Sequence, residues 1–550
     1  MKTSIKNNRG IIFLIAIVSG IIFIPFIGNC PLFDWDEINF AECAREMLVS
    51  GNYFNLQMNF YPFWEKPPLF IWFQALSMKL FGVNEFAARF PNALAGVLTL
   101  LVLFRAGKKM KDLQTGWLWV ICYAGSTLPQ FYFRSGIIDP WFNLFIFLAF
   151  FSFLQYLSSE KALFRQVLKA GLYAGLAVLT KGPAAVIILG ICLLYFLVRR
   201  STRSKMQLRH LVMLSFTVII TGGLWFLLLL LNGQDEIIKN FVSYQYHLFH
   251  AEDSGHGGPF YYHFLVLLIG CFPASVFALP ALFGKGVGTE KEIFFRQSMQ
   301  VLFWVVLLLF SVVQTKIIHY SSLCYFPLTY LAAITIQDYL NKKSILSFKI
   351  RAVLISLSSL MALLLIALPV LAMNKEWLMA KNWIQDEVAI GNLQAPVHWS
   401  GIELLPGMLL LILTILLIFS ERGAHSARII FSTLLINLFS TQLAALVLAP
   451  RIEGYTQKAV IDFYEDLQKK DCYAESLNYL SYAPYFYARQ LPPLMEEKAV
   501  RTWMLKGKID KDSYFVSKIT DAEDNKRDFP DLIELERKNG FVFYLRKAAN

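Results

Sequence analysis

Residues 11–28 read IIFLIAIVSGIIFIPFIG, and residues 29–40 read NCPLFDWDEINF. The first stretch carries no charge and is long enough to cross a bilayer, for which roughly 17–25 residues are needed. The second turns at once to an acidic cluster, Asp34-Trp35-Asp36-Glu37. A span followed directly by carboxylates describes a chain that enters a membrane and sets ionisable groups at its boundary. The first run is too long for an ordinary signal-peptide core, and no small-x-small cleavage site follows it, so it is predicted to be an uncleaved first helix.

Working outward, runs of the same kind recur over the first 450 positions. They predict thirteen spans, near 11–28, 86–105, 114–133, 138–157, 168–180, 182–198, 211–231, 261–283, 299–314, 320–337, 352–373, 402–420 and 429–449. Composition agrees: 56% of residues are hydrophobic, 15% aromatic and only 16% charged, against about a quarter charged in soluble chains. The fold class is therefore an all-α polytopic membrane protein.

Orientation follows from lysine and arginine, which stay on the cytosolic side. Alternate loops are basic, the strongest holding Arg199, Arg200, Arg203, Lys205 and Arg209, while the opposite loops carry more acids than cations. This predicts a cytoplasmic N-terminus and, with an odd number of spans, a C-terminus on the outer side. The net charge of +12 is then a topology signal, and nucleic-acid binding is disfavoured.

Two regions are predicted. Residues 1–450 form the membrane domain, and 451–550, with balanced charge and short β-rich pieces such as Phe541–Leu545, form a small soluble α/β domain. Within the first, the outer loop 29–85 contains Phe40–Met47, read as an amphipathic helix lying on the membrane surface. Leu69–Phe81 is too short to span comfortably and reads as re-entrant. The outer loop 232–260, rich in histidine, aromatics and glycine, reads as functional or mobile. No internal repeat is evident and the ionisable residues gather at the outer boundary, which disfavours a lipid or sugar transporter, a class that shows repeats and midplane charges.

Asp36 and Glu37 suit general-base work or orientation of a nucleophile; the alternative is a solvated acidic patch. Lys66, in Glu65-Lys66-Pro67-Pro68, offers a point charge for a phosphate, or else a snorkelling anchor. Arg134, Lys181 and Lys316 are further cations on the side that disfavours them, and Asp139 opens a span. Ionisable groups near membrane depth are costly and mark function, so together they fit a pocket for a lipid-linked phosphate. Glu65 with His247 and His256 has the donor chemistry of a divalent-metal site without a metal-binding spacing. The seven cysteines imply no disulfide framework, although Cys30 and Cys43 lie on one side and could pair.

The run Asp36-Glu37-x-x-Phe40-Ala41-Glu42-x-Ala44-Arg45-Glu46-Met47, followed by Glu65-Lys66-Pro67-Pro68-Leu69, resembles the lipid A aminoarabinose transferases, which belong to the GT-C glycosyltransferases with the protein O-mannosyltransferases. Asp139-Pro140, Thr180-Lys181-Gly182, His256-x-Gly258-Pro259-Phe260-Tyr261-Tyr262 and Lys316-x-x-x-Tyr320 follow in the expected order. The resemblance implies an inverting sugar transferase of the bacterial inner membrane. It would move a sugar from a polyprenyl phosphate to lipid A, another glycan or a protein, with no required cofactor. Asp36 would act as base with Glu37 in support, and Asp139 would shape the sugar pocket. Lys66, Lys181, Lys316 and Tyr320 would hold the phosphate, with Glu65, Arg134 and His256 in the substrate site. One departure stands out: the aminoarabinose transferases carry Arg-Tyr where this chain has Asn39-Phe40, so one phosphate-binding cation is missing and the sugar and acceptor are left open.

Overall fold

The computed structural model describes residues 2–158, 164–250, 257–284, 286–420, 426–492 and 497–548. Among these, seven helices are long and apolar enough to cross a membrane: Glu85–Met110, Asp139–Leu157, Leu208–Leu231, Glu290–Val312, Phe348–Met373, Ile402–Phe419 and Ser426–Tyr455. Shorter apolar helices accompany them at Arg9–Phe23, Leu69–Phe81, Ala184–Val198 and Ala274–Phe283. The chain is a mainly helical, multi-pass membrane protein.

The thirteen predicted spans are not reproduced one for one. The run at 114–133 divides into Leu113–Ala124, Thr127–Phe131 and a 3-10 turn at Tyr132–Arg134. The run at 261–283 divides into Tyr262–Gly270 and Ala274–Phe283, with Pro273 opening the second helix. Proline has no N–H to continue a helix but fits its start, and a break of two or three residues leaves the hydrophobicity of the run intact. Position in the bundle was equally hidden. In Asp139–Leu157, 89% of the most apolar stretch is covered by protein, and in Leu208–Leu231 only 17%, because a helix apolar all round suits a core or a lipid face alike.

Small residues bring the helices close where the site needs a rigid wall. Gly171 and Gly175 on Phe164–Lys181 face Thr217 and Thr221 of Leu208–Leu231, and a Cβ on Gly175 would lie 2.5 Å from Thr221. This contact, typical of membrane helix pairs, fixes the helix that ends in Lys181.

The segment after the first helix departs most from expectation. Asp36–Ser50 is one helix, and it exposes no polar face: every residue from Glu37 to Met47 is buried. Its polar side chains survive burial by pairing. Arg45 grips Glu42 at 2.7 and 2.6 Å and donates to the Gln490 carbonyl at 2.8 Å. Glu46 accepts the Phe60 N–H at 2.8 Å, which ties down the hairpin of β1 (Gln57–Met58) and β2 (Tyr61–Pro62). Burial, reinforced by the Glu42 carboxylate, pushes the Glu46 carboxyl up to about 9.

The cover over this helix comes from the other end of the chain. The composition break at 450 is not a break in the backbone, since the Ser426–Tyr455 helix runs through Pro450. Beyond it lies a sheet of β3 (Tyr473–Leu477), β4 (Ser513–Lys518), β5 (Ile533–Lys538) and β6 (Phe541–Arg546), in the order β3-β4-β6-β5. β3 and β4 are parallel and the other pairs antiparallel. Tyr487 Oη accepts the Leu32 N–H at 2.7 Å, Gln457 donates to the Leu32 carbonyl at 2.7 Å, and Arg489 donates to the Val83 carbonyl at 2.7 Å. The loop 232–260 contains a helix, Asp235–His250.

Candidate active site

A cavity of about 670 Å³ lies beside the start of the Asp36–Ser50 helix. Its polar lining includes Asp36, Glu65, Lys66, Lys181, His319 and Tyr320, set among apolar side chains such as Phe131, Ile138 and Phe310. Asp36 reaches it because Trp35 turns the chain with φ 82° and ψ −111°, so that the helix begins at Asp36. A positive φ at tryptophan is strained and persists only where neighbours over-determine it. Here Asp34 Oδ1 accepts the Trp35 N–H at 2.8 Å and the Tyr482 N–H at 3.3 Å, and the Trp35 and Tyr482 rings stand 5.8 Å apart. Burial raises the Asp34 carboxyl above its usual range against the lowering effect of these hydrogen bonds.

Opposite Asp36 stands a second cluster. Asp139, buried at the first turn of its helix, takes Lys181 on Oδ1 at 2.6 Å. Lys181 Nζ also sits 4.9 Å from the centre of the Tyr320 ring, a cation–π distance. The Lys181-Gly182-Pro183 turn requires its glycine: Gly182 has φ +67°, and a Cβ there would lie 2.7 Å from the Phe241 ring. His319 completes the group, with Nε2 at 3.6 Å from Asp36 Oδ2 and 3.7 Å from Asp139 Oδ2. Burial holds its imidazole below the ordinary value. Lys66 approaches from a third element, 3.8 Å from Glu65 and 5.0 Å from the centre of the Tyr244 ring.

The structure thus brings Asp36, Glu65, Lys66, Asp139, Lys181 and Tyr320 to one place, and turns three predicted residues elsewhere. Glu37 touches the cavity wall but accepts from Phe33 N–H at 2.9 Å, from Arg89 Nε and Nη2 at 3.0 and 2.6 Å, and from the Gly136 N–H. A carboxylate has about four lone-pair positions, so none remains for an acceptor's proton. Arg134 donates to the Ile22 carbonyl at 2.9 Å, the Pro25 carbonyl at 3.3 Å and the Gln442 side chain. Lys316 donates to the carbonyls of Phe310, Ser311 and Val313, at the end of the Glu290–Val312 helix. Those carbonyls lack helical partners and carry the negative end of the helix dipole, so a lysine there is a cap.

Of the predicted metal ligands, two lie among the described residues. Glu65 lies beside Lys66, His247 is exposed on the Asp235–His250 helix, and His256 lies outside the described residues. Among the described residues, no group of three or more His, Cys, Asp or Glu side chains could hold a metal ion. Cys30 and Cys43 are free thiols. Asn39 and Phe40 are buried, Phe40 against Phe70 with ring centres 6.0 Å apart.

Arg89 and His319 are among the residues of the site that went unread in the sequence. Arg89 is buried, and besides Glu37 it donates to the carbonyls of Ile27, Cys30 and Pro31 at 2.7–2.8 Å. Its signal was a lone cation just inside an apolar run, which membrane burial makes costly. His319 sits between two singled-out residues, Lys316 and Tyr320.

A sequence profile described as dolichyl-phosphate-mannose-protein mannosyltransferase matches residues 65–225, which include Lys66, Asp139 and Lys181. In overall architecture the chain is similar to crystal structures of ArnT from Cupriavidus metallidurans. The one bound to undecaprenyl phosphate superposes with a TM-score of 0.77 at 15% identity, covering 98% of both chains. The apo form gives 0.76 at 16%, covering 99% of this chain and 100% of the other. Fold and site define a multi-pass membrane protein with the architecture of these ArnT structures.

In sequence the chain is similar to undecaprenyl phosphate-alpha-4-amino-4-deoxy-L-arabinose arabinosyl transferases. It is 28% identical over 344 residues to the undecaprenyl phosphate-alpha-4-amino-4-deoxy-L-arabinose arabinosyl transferase of Aeromonas hydrophila, a match covering 61% of this chain and 62% of the relative. The chain spans about three-fifths of the length of the first curated relatives it matches.

Proposed function

We propose that this protein is an inverting glycosyltransferase that takes a sugar from a polyprenyl phosphate. One observation carries the reading: a single cavity joins two cations, Lys66 and Lys181, to a carboxylate, Asp36, that is open to it and, among the described residues, is paired with no lysine or arginine. The bond to be broken joins the anomeric carbon to a phosphate oxygen, and the departing polyprenyl phosphate is stabilised by cations set at its oxygens. Asp36, facing the other side of the sugar carbon, takes the acceptor's proton as the new bond forms. Attack opposite the leaving group inverts the anomeric centre. Asp139 holds Lys181 at 2.6 Å and fixes its reach, while Tyr320, Tyr244 and Trp35 supply aromatic surfaces on which a sugar ring can lie.

The site sits at the periplasmic face of the inner membrane, with the N-terminus cytoplasmic and residues 451–550 as a periplasmic cover. The relatives' printed donor, undecaprenyl phosphate bearing 4-amino-4-deoxy-L-arabinose, is the first to try, with lipid A as acceptor. A protein acceptor is the second reading, favoured by the mannosyltransferase profile over residues 65–225. No divalent metal is required on this account.

The test is mass spectrometry of lipids that co-purify with wild type and Asp36→Asn, followed by turnover of the donor so identified. A polyprenyl-phosphate sugar enriched with the variant supports the reading. Wild-type protein that neither retains nor turns over any polyprenyl donor removes it.

A further inference from the structure

His319 sits on the 3-10 helix Ile318–Cys324 with its ring at the centre of the charged groups of the cavity. Its Nε2 is nearly equidistant from two carboxylates on different elements, at 3.6 Å from Asp36 Oδ2 and 3.7 Å from Asp139 Oδ2. The two are not alike. Asp139 is buried, Lys181 occupies its Oδ1, and its Oδ2 is a buried oxygen with no hydrogen-bond partner. Such an atom is expensive to leave unpaired. The nearby polar group placed to satisfy it is the His319 imidazole, whose Nε2 donates toward it once that nitrogen has taken up a proton. Both separations exceed a hydrogen bond, and contacts of this kind tighten when substrate closes the site.

We propose that His319 is the proton partner of Asp36, positioned for that exchange by the free oxygen of Asp139. The inference deepens the glycosyltransferase reading and rests on it. As the acceptor oxygen bonds to the anomeric carbon, the bond from that carbon to the phosphate oxygen breaks and its electron pair leaves with the polyprenyl phosphate. The acceptor's proton passes to the Asp36 carboxylate, then to His319 Nε2, and from there to water in the cavity. Asp36 is thereby returned to its ionised form for the next cycle. The imidazolium formed lies between two carboxylates, which stabilise it only while it carries the proton.

The environment sets the resting state in favour of this. Burial, Lys181 on the Phe164–Lys181 helix, and Lys66 ahead of the Leu69–Phe81 helix oppose protonation, whereas Asp36 and Asp139 favour it. Tyr132 and Tyr320 flank the ring, with centres 6.5 and 5.4 Å away, and His263 on the Tyr262–Gly270 helix is a further cationic neighbour when protonated. The imidazole rests neutral, ready to accept.

The test uses the full chain in detergent. In 15N-histidine-labelled protein, with His319→Gln assigning the signal, His319 should titrate below the usual value of about 6.5. Asp36→Asn and Asp139→Asn should each lower it further, by about one pH unit. A titration unmoved by Asp36→Asn overturns the proposal. With undecaprenyl-phosphate-linked 4-amino-4-deoxy-L-arabinose as donor, release of undecaprenyl phosphate should fall about 100-fold in His319→Gln at unchanged donor KM. Wild-type turnover should fall as pH drops through the His319 titration, and the variant should lack that limb. Imidazole in the buffer should restore part of the rate of His319→Ala. A variant that keeps the wild-type rate and pH profile overturns the relay alone; a wild type that turns over no polyprenyl donor overturns the glycosyltransferase reading and the relay with it.

Discussion

On one side of the first turn of the Asp36–Ser50 helix, the Asp36 side chain is 34% exposed and faces a cavity with an imidazole 3.6 Å away. On the other side, the Glu37 side chain is 3% exposed and is held by Arg89 at 2.6 Å and by two backbone N–H groups. Successive residues of a helix point about 100° apart, so adjacent carboxylates were sent to opposite environments. The difference teaches what each environment permits. A carboxylate with every lone pair engaged is a staple: through Arg89 it ties the helix to the carbonyls of Ile27, Cys30 and Pro31. One left open to a cavity can take a proton. The same division separates Lys181, which meets the cavity, from Lys316, which closes a helix end.

Substitution at the open carboxylate should show the largest effect. Asp36→Asn is expected to lower sugar transfer by about 10²–10⁴-fold while the thermal unfolding of the detergent-solubilised protein is unchanged; near-normal turnover would erase the distinction. The staple should behave the other way. Arg89→Ala leaves a buried carboxylate unpaired, which costs about 3–5 kcal/mol, seen as a lower unfolding temperature or loss of folded protein. A stable Arg89→Ala protein would show that the Glu37 contacts hold nothing together.

The lysines sharpen the contrast at smaller scale. Lys181→Ala should raise the donor concentration needed for half-maximal rate by about ten- to a hundredfold, since one charge-assisted phosphate contact is worth roughly 1.5–3 kcal/mol. Lys316→Ala should leave that concentration unchanged and lower stability by about 1–3 kcal/mol through its stranded carbonyls. Equal donor effects from both would place Lys316 back in the site.

The smallest effect is one of pH. Glu46 is held protonated in the fold, its carboxyl pushed up to about 9 by burial and by Glu42. The folded state then binds more protons than the unfolded one, so stability is greatest below the ordinary carboxylate value and declines as pH rises toward about 9. Glu46→Gln, which cannot ionise, should flatten that decline in melting temperature measured from pH 5 to 9. An unaltered slope would mean that the Glu46 carboxyl ionises freely.

Much of this was legible in the order of residues. Asp36, Lys66, Asp139, Lys181 and Tyr320 could be singled out because charge in an apolar chain is rare and each stands at the edge of a run. Trp35 and His319 could not. Trp35 matters through a backbone angle that tryptophan does not advertise, and His319 through two partners, one 180 and the other 283 residues away in the chain. The burial of the Phe40–Met47 helix escaped notice for a related reason: an alternation of charged and apolar residues reads as amphipathic, while Arg45 with Glu42, and Glu46 with the Phe60 N–H, can only be seen paired once the chain is folded.

By itself, then, the sequence determined that the chain is helical and multi-pass, and which ionisable residues lie near the ends of its apolar runs. Both follow from local quantities, hydrophobicity and charge, summed over a few tens of residues. Only the tertiary structure decided which of those charges face a cavity and which neutralise one another or cap a helix. That choice depends on side-chain direction and on partners distant in sequence. Burial leaves it no latitude, because a charge removed from water must be paired, capped or put to use.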